Sequence, residues 1–148
     1  MILYSNITLE EINIIKDLWE ANRAHHINIS KHFSEQYASI IFDDRMRALS
    51  KFDKGNLMVT AAIDEGNCVG YCISVIAGGK GELVSMHVSE SNRGNGIGKN
   101  LVNRHICWMK ERHCMEIGVS VSNENEASIK FYRSAGFFPD TLYMKQIK

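Results

Sequence analysis

Near the start of the chain, apolar residues recur at helical spacing: Leu9, Ile12, Ile15, Leu18 and Trp19, behind Thr8 with Glu11 three residues on. This predicts a capped amphipathic helix over residues 8–22. A second helical pattern, Phe33, Tyr37, Ile40 and Ile41 with Leu49 and Phe52 beyond, starts near Ser30 or Ser34 and stops before Gly55. The period then changes to two. Residues 57–63 and 68–77 read as strands joined by the turn Asp64-Glu65-Gly66-Asn67. A third strand, 82–88, follows Gly78-Gly79-Lys80-Gly81 and places Val84, Met86 and Val88 on one face. Together they predict an antiparallel meander.

After Val88 a polar, glycine-rich loop covers residues 89–98, and Ile97, Leu101, His105, Ile106 and Met109 mark a helix to about Arg112. In residues 115–122 the odd positions Met115, Ile117, Val119 and Val121 are apolar, which predicts a strand. Strand, helix and strand make a crossover, so the flanking strands should be parallel. A last helix over 125–135 ends at Gly136, and 142–147 reads as a final strand.

The composition is that of one ordinary domain over residues 1–148: 45% hydrophobic, one proline, and 17 Lys+Arg against 17 Asp+Glu. Zero net charge argues against a general nucleic-acid binder, which needs a basic field. The N-terminal residues show no basic region followed by an apolar run, and no stretch approaches the roughly 18 apolar residues of a membrane span. A cytoplasmic protein without a membrane partner is expected. Cys68, Cys72, Cys107 and Cys114 form no C-x-x-C pair and the six histidines have no ligand spacing. Reduced thiols and no metal site are the expectation.

Candidate chemistry gathers at Arg93-Gly94-Asn95-Gly96-Ile97-Gly98, with Lys99 and Asn100 following. The loop lies between a strand and a helix, where free amides and the positive end of the helix dipole favour a phosphate. The triphosphate loop G-x-x-x-x-G-K-[ST] fails at Arg93 and Asn100, and the dinucleotide fingerprint fails on glycine spacing. The pattern [RQ]-x-x-G-x-[GA] is met by Arg93, Gly96 and Gly98, and it resembles the pyrophosphate loop of the GNAT superfamily of acyl-CoA-dependent N-acetyltransferases. Residues 83–88 resemble that family's fourth strand. Asn125 through Phe137, with Phe131-Tyr132 and Gly136-Phe137, resemble its last helix, although Ser128 stands where the family commonly has Ala.

The resemblance implies an α/β fold of α+β type: a mixed, mostly antiparallel central sheet with a splayed parallel strand pair, flanked by about four helices. It implies transfer of acetyl from acetyl-CoA to a primary amine, on a small molecule, peptide or protein, by direct attack in a ternary complex without a metal. The backbone of Met86, His87 and Val88 would hold the acetyl carbonyl and pantetheine arm. Arg93, Gly94, Asn95, Gly96, Ile97, Gly98, Lys99 and Asn100 would cradle the pyrophosphate. Tyr132 would touch the cofactor and act as general acid on the departing sulfur.

Other roles stay open at this level. The base is Glu82, at the start of the strand, or His87, which by parity faces the opposite side. Asn125 contacts the cofactor, caps the last helix, or does both. His25, His26, His32, Phe33 and Tyr37 either line the acceptor cleft or are surface histidines and core aromatics. A non-catalytic acyl-CoA-binding module is the alternative to an enzyme, and a C-terminal strand offers a route to a homodimer. The charge divides as −4 over residues 1–90, +4 over 91–114 and 0 over 115–148, which suggests a basic phosphate site and an acidic side for a cationic acceptor.

Overall fold

The computed structural model describes residues 1–147. Five strands form one sheet in chain order: β1 (Ile2–Asn6), β2 (Leu57–Asp64), β3 (Asn67–Ala77), β4 (Lys80–Val88) and β5 (Glu116–Val119). The first four are antiparallel, and β5 runs parallel to β4. The crossover helix α4 (Ile97–Glu111) makes that parallel pair possible. The meander and the parallel closure are as the period-two pattern and the crossover require.

Two apolar layers cover the sheet. On one face Ile15, just before α1 (Lys16–Ile29), Trp19 of α1, and Phe42 and Met46 of α3 (Phe42–Leu49) pack onto Val59, Tyr71, Ile73 and Val75. Trp19 meets Phe42 edge to face, with ring centroids 5.2 Å apart. On the other face α4 and α5 (Glu126–Ser134) pack Leu101, Val102, Met109 and Tyr132 onto Cys72, Ile76 and Leu83.

A buried polar relay ties α4 to the sheet. His105 is fully buried, with Nε2 2.9 Å from Thr60 Oγ1 and Nδ1 2.6 Å from Ser74 Oγ. Because the Thr60 hydroxyl donates to Asn6 Oδ1, the network assigns the proton to Nε2 and makes Ser74 the donor to Nδ1. Burial pushes the imidazole down to about 4, so it is neutral and fully bonded at pH 7.

Several sequence expectations are corrected. The first helix is a 3-10 turn over Leu9–Ile15 that passes into α1, and it runs on to Ile29 rather than ending at Asn22. Thr8 N–H still donates to Glu11 Oε1, at 3.0 Å, as the capping pattern implies. The second helical region breaks into α2 (Ser34–Ala38) and α3. β1 was not expected; its five residues gain their hydrogen bonds from the edge of β2. The predicted final strand does not form: residues 142–147 have no strand partner, and Leu142, Tyr143 and Met144 are exposed. The strand proposed as a homodimer route is therefore absent among the described residues. No helix of the described residues is long and apolar enough to cross a membrane, and none of their His, Cys, Asp and Glu side chains form a metal-sized cluster.

Candidate active site

The site begins with a strand that loses its neighbour. β4 pairs with β5 only from Lys80↔Glu116 to Leu83↔Val119, and residues 84–88 of β4 have no partner on that edge. The chain after β5, Ser120 to Ser122, leaves β4 and heads for Asn125, which caps α5 by accepting from Ser128 N–H at 3.2 Å. The predicted strand over 115–122 stops at Val119 for that reason. Between the two diverging chains lies a cleft of about 90 Å³ lined by Leu83 to Met86, Val119 to Ser122, Asn125, Ser128 and Tyr132, with Asn22 and His26 of α1.

A β-bulge shapes the free half of β4. Ile73 pairs with Ser85 and Ser74 with Leu83, so Val84 is the extra residue and is 42% exposed. Alternation restarts after it. Gly81, Leu83, Met86 and Val88 therefore face α4 and α5, while Glu82, Ser85 and His87 face α1. This corrects the parity argument twice: Val84 does not share a face with Met86 and Val88, and His87 lies on the same side of the sheet as Glu82. Below the cleft, Tyr71 is buried with its hydroxyl 2.8 Å from Ser85 Oγ, which fixes the first residue past the bulge.

At the far end of β4 the glycine loop turns into α4. Gly94 and Gly96 sit at φ 82° and 78°, the left-handed region, and a Cβ at either would meet nothing within 4 Å. Open space therefore stands over both. Gly98 differs: a Cβ there would meet Phe131 at 3.4 Å, so this glycine lets α5 lie close to α4. Asn100 N–H makes the first helical bond, to Gly96 O at 3.0 Å, so the amides of Ile97, Gly98 and Lys99 precede any intrahelical partner. These amides, the dipole and two exposed cations suit a pyrophosphate. Arg93 folds back, donating from Nε to Val88 O at 3.1 Å and lying 3.4 Å from His87 Nε2. Asn100 Oδ1 accepts from Arg104 Nε at 2.7 Å.

Residues 15–137 match the acetyltransferase (GNAT) family. The chain belongs to that family. Human N-alpha-acetyltransferase 30 is 34% identical over 61 residues, 41% of this chain and 17% of the human protein's length. The protein of that name from Saccharomyces cerevisiae is 36% identical over 58 residues, 39% of this chain and 33% of its own. The matches thus span a third or less of these curated relatives. The fold is close to that of the Bacillus halodurans protein BH1408 (TM-score 0.80, 18% identity, 97% of this chain and 98% of that one). It also resembles the aminoglycoside N-acetyltransferase AAC(6')-Iy in complex with CoA (TM-score 0.71, 16% identity, 99% and 98% covered).

Within this GNAT domain the expected site residues divide. Met86, Asn125 and Tyr132 line the cleft. Tyr132 is 8% exposed, wedged edge-on between Phe131 and Phe137, and burial raises its phenol well above the usual value, so it stays protonated. His87 and Val88 lie beyond the cleft toward the loop, and both are engaged by Arg93. Burial first, then Arg93, brings His87 down to about 4. Glu82 is exposed in the half of β4 that still pairs with β5, outside the cleft. No carboxylate lines the cleft among the described residues. Asn22, Ser85 and Ser128 are additional lining residues that spacing did not reveal, because they converge only through the splay. Of the aromatic acceptor candidates, His26 lines the cleft and stacks on Tyr37, with ring centroids 5.1 Å apart.

Proposed function

We propose that the protein transfers acetyl from acetyl-CoA to a primary amine by direct attack, with both substrates bound together. The observation that carries this reading is the parting of β4 from β5 beside Tyr132, with the glycine loop at the end of the same strand. In this reading the free edge of residues 84–88 pairs with the pantetheine arm, as a sheet edge pairs with an added strand. The amides from Gly94 to Lys99, with Arg93, Lys99 and Asn100, take the pyrophosphate once Arg93 releases Val88. A backbone N–H from Met86 to Val88 meets the acetyl oxygen, a contact of the kind worth about 2.7–4 kcal/mol in oxyanion holes. Tyr132 delivers its proton to sulfur as the C–S bond breaks.

The acceptor we favour is a peptide α-amine. The curated relatives by sequence are N-alpha-acetyltransferases. A polycation of the aminoglycoside kind would want carboxylates around it, and the cleft has neutral polar walls instead. The four free cysteines suit work in the reducing cytoplasm.

CoA release over a panel of free-amine peptides, lysine peptides and aminoglycosides tests this. Turnover should be highest on peptide N-termini. Tight acetyl-CoA binding with no turnover on any amine would make the protein a binding module instead.

A further inference from the structure

We propose that His26 on α1 is the catalytic proton acceptor for the incoming amine, working across the cleft from Tyr132. The proposal rests on the acetyltransferase reading above. Among the described residues that line the cleft, only His26 and Tyr132 carry titratable side chains. They come from opposite layers of the sheet: α1 packs on the Tyr71 and Ile73 face, and Tyr132 packs with Cys72 and Leu83 on the other. A base and an acid so arranged approach an acetyl group in the splay from its two sides, as attack and departure require.

The competing bases are poorly placed. Glu82 is exposed outside the cleft, and His87 Nε2 faces the Arg93 guanidinium. The groups facing His26 are His25 on its own helix, at 6.0 Å between ring centroids, Tyr37 of α2 stacked on it, and His87 of β4 with Arg93 beside it. Burial, then His25, lowers the proton affinity of His26, so the ring is neutral at pH 7. Its Nδ1 is buried without a hydrogen-bond partner, so Nε2 is the nitrogen left to meet the amine, and accepting there needs the Nδ1–H tautomer.

The proton balance is simple. His26 takes one proton from the ammonium and passes it to solvent, and the amine lone pair forms the C–N bond. As the C–S bond breaks, Tyr132 gives its proton to sulfur, and the proton leaving the new amide nitrogen restores the phenol through His26 and water. CoA thiol, the amide and one proton in solvent result.

The test compares wild type with His26→Gln, and with His26→Asn as a second variant, each first shown by melting and acetyl-CoA titration to be folded and to bind. With an amine protonated at the assay pH, kcat should fall roughly 100-fold or more while acetyl-CoA affinity is kept. With a weakly basic amine, already neutral at that pH, the defect should shrink to a few-fold. Added imidazole should restore His26→Ala. The wild-type kcat limb that falls below pH 6.5, where a histidine of lowered pKa gains its proton, should disappear in His26→Gln. Equal loss on both amines, or no loss on either, would overturn the proposal. Wild type that binds acetyl-CoA but acetylates neither amine would instead overturn the enzyme reading, and this one with it.

Discussion

The two halves of β4 are one strand with two different tasks. From Lys80 to Leu83 it is sandwiched between β3 and β5, and Gly81 lies under the Met109 side chain. From Val84 to Val88 it keeps β3 but has an open edge, and its alternation has been reset by the bulge. The lower half is held by pairing on both edges and by a buried layer. The upper half spends one edge of backbone N–H and C=O groups on whatever enters the cleft. An unpaired edge is ordinarily a liability, and here the divergence of Ser120 to Ser122 and the bulge confine it to a narrow V.

The hardest blow to that division is deletion of Val84. Without the extra residue the upper half either swaps its faces, turning Met86 and Val88 toward α1, or drags the loop one position. Acetyl-CoA binding should be lost, with a stability loss of roughly 3 kcal/mol or more, measured by titration and urea unfolding. Acid should loosen the boundary itself, because Ser74, paired with Leu83 just below the bulge, is held by His105. The folded pKa of about 4 lies below the unfolded 6.5, so the unfolded chain takes the proton first. Unfolding free energy should be flat well above pH 6.5 and fall as pH drops to about 4, roughly 3 kcal/mol of the loss belonging to His105 and a further part to His87, so His105→Asn should reduce that slope without abolishing it.

Much of the lower half was legible in sequence, and little of the upper half was. The alternation in residues 57–77 and the crossover through Ile97 to Met109 carry the sheet order, because burial on fixed faces imposes a period. The loop and the Asn125–Phe137 signature carry the family. A bulge leaves no periodic trace: Val84, Met86 and Val88 are all apolar, and only the pairing of Ser85 with Ile73 shows that Val84 is out of step. The end of α1 was hidden likewise, since Arg23, His25 and His26 are polar and interrupt the apolar pattern, and the helix continues there because α2 and the β5–α5 loop receive it. Lys31 N–H donates to Glu124 across that junction at 2.9 Å. Residues 142–147 go the other way: they read as a final strand, but no sheet edge meets them.

Tyr132→Phe sharpens the comparison from the cleft side. The ring keeps its place between Phe131 and Phe137, so melting and acetyl-CoA affinity should barely move while kcat falls roughly 100-fold. Gly81→Ala probes the paired half. The new methyl would meet Met109 Sδ at 2.5 Å in a fully buried place, so stability should fall by about 1–3 kcal/mol with kcat per folded molecule unchanged.

The smallest expected effect is the most discriminating. Glu82 is the third residue of β4 and lies on the α1 face with Ser85 and His87, yet it is exposed and pairs with Gly118 where β4 and β5 are still joined. A carboxylate at a pair still closed by Gly118 is not among the side chains that line the V. Glu82→Gln should therefore leave kcat and its pH profile within about twofold of wild type, the scale of an ordinary surface substitution. A large loss of kcat on protonated amines alone would mean that Glu82 reaches the acceptor through water, and would move the boundary between scaffold and site from Val84 down to the first residues of β4.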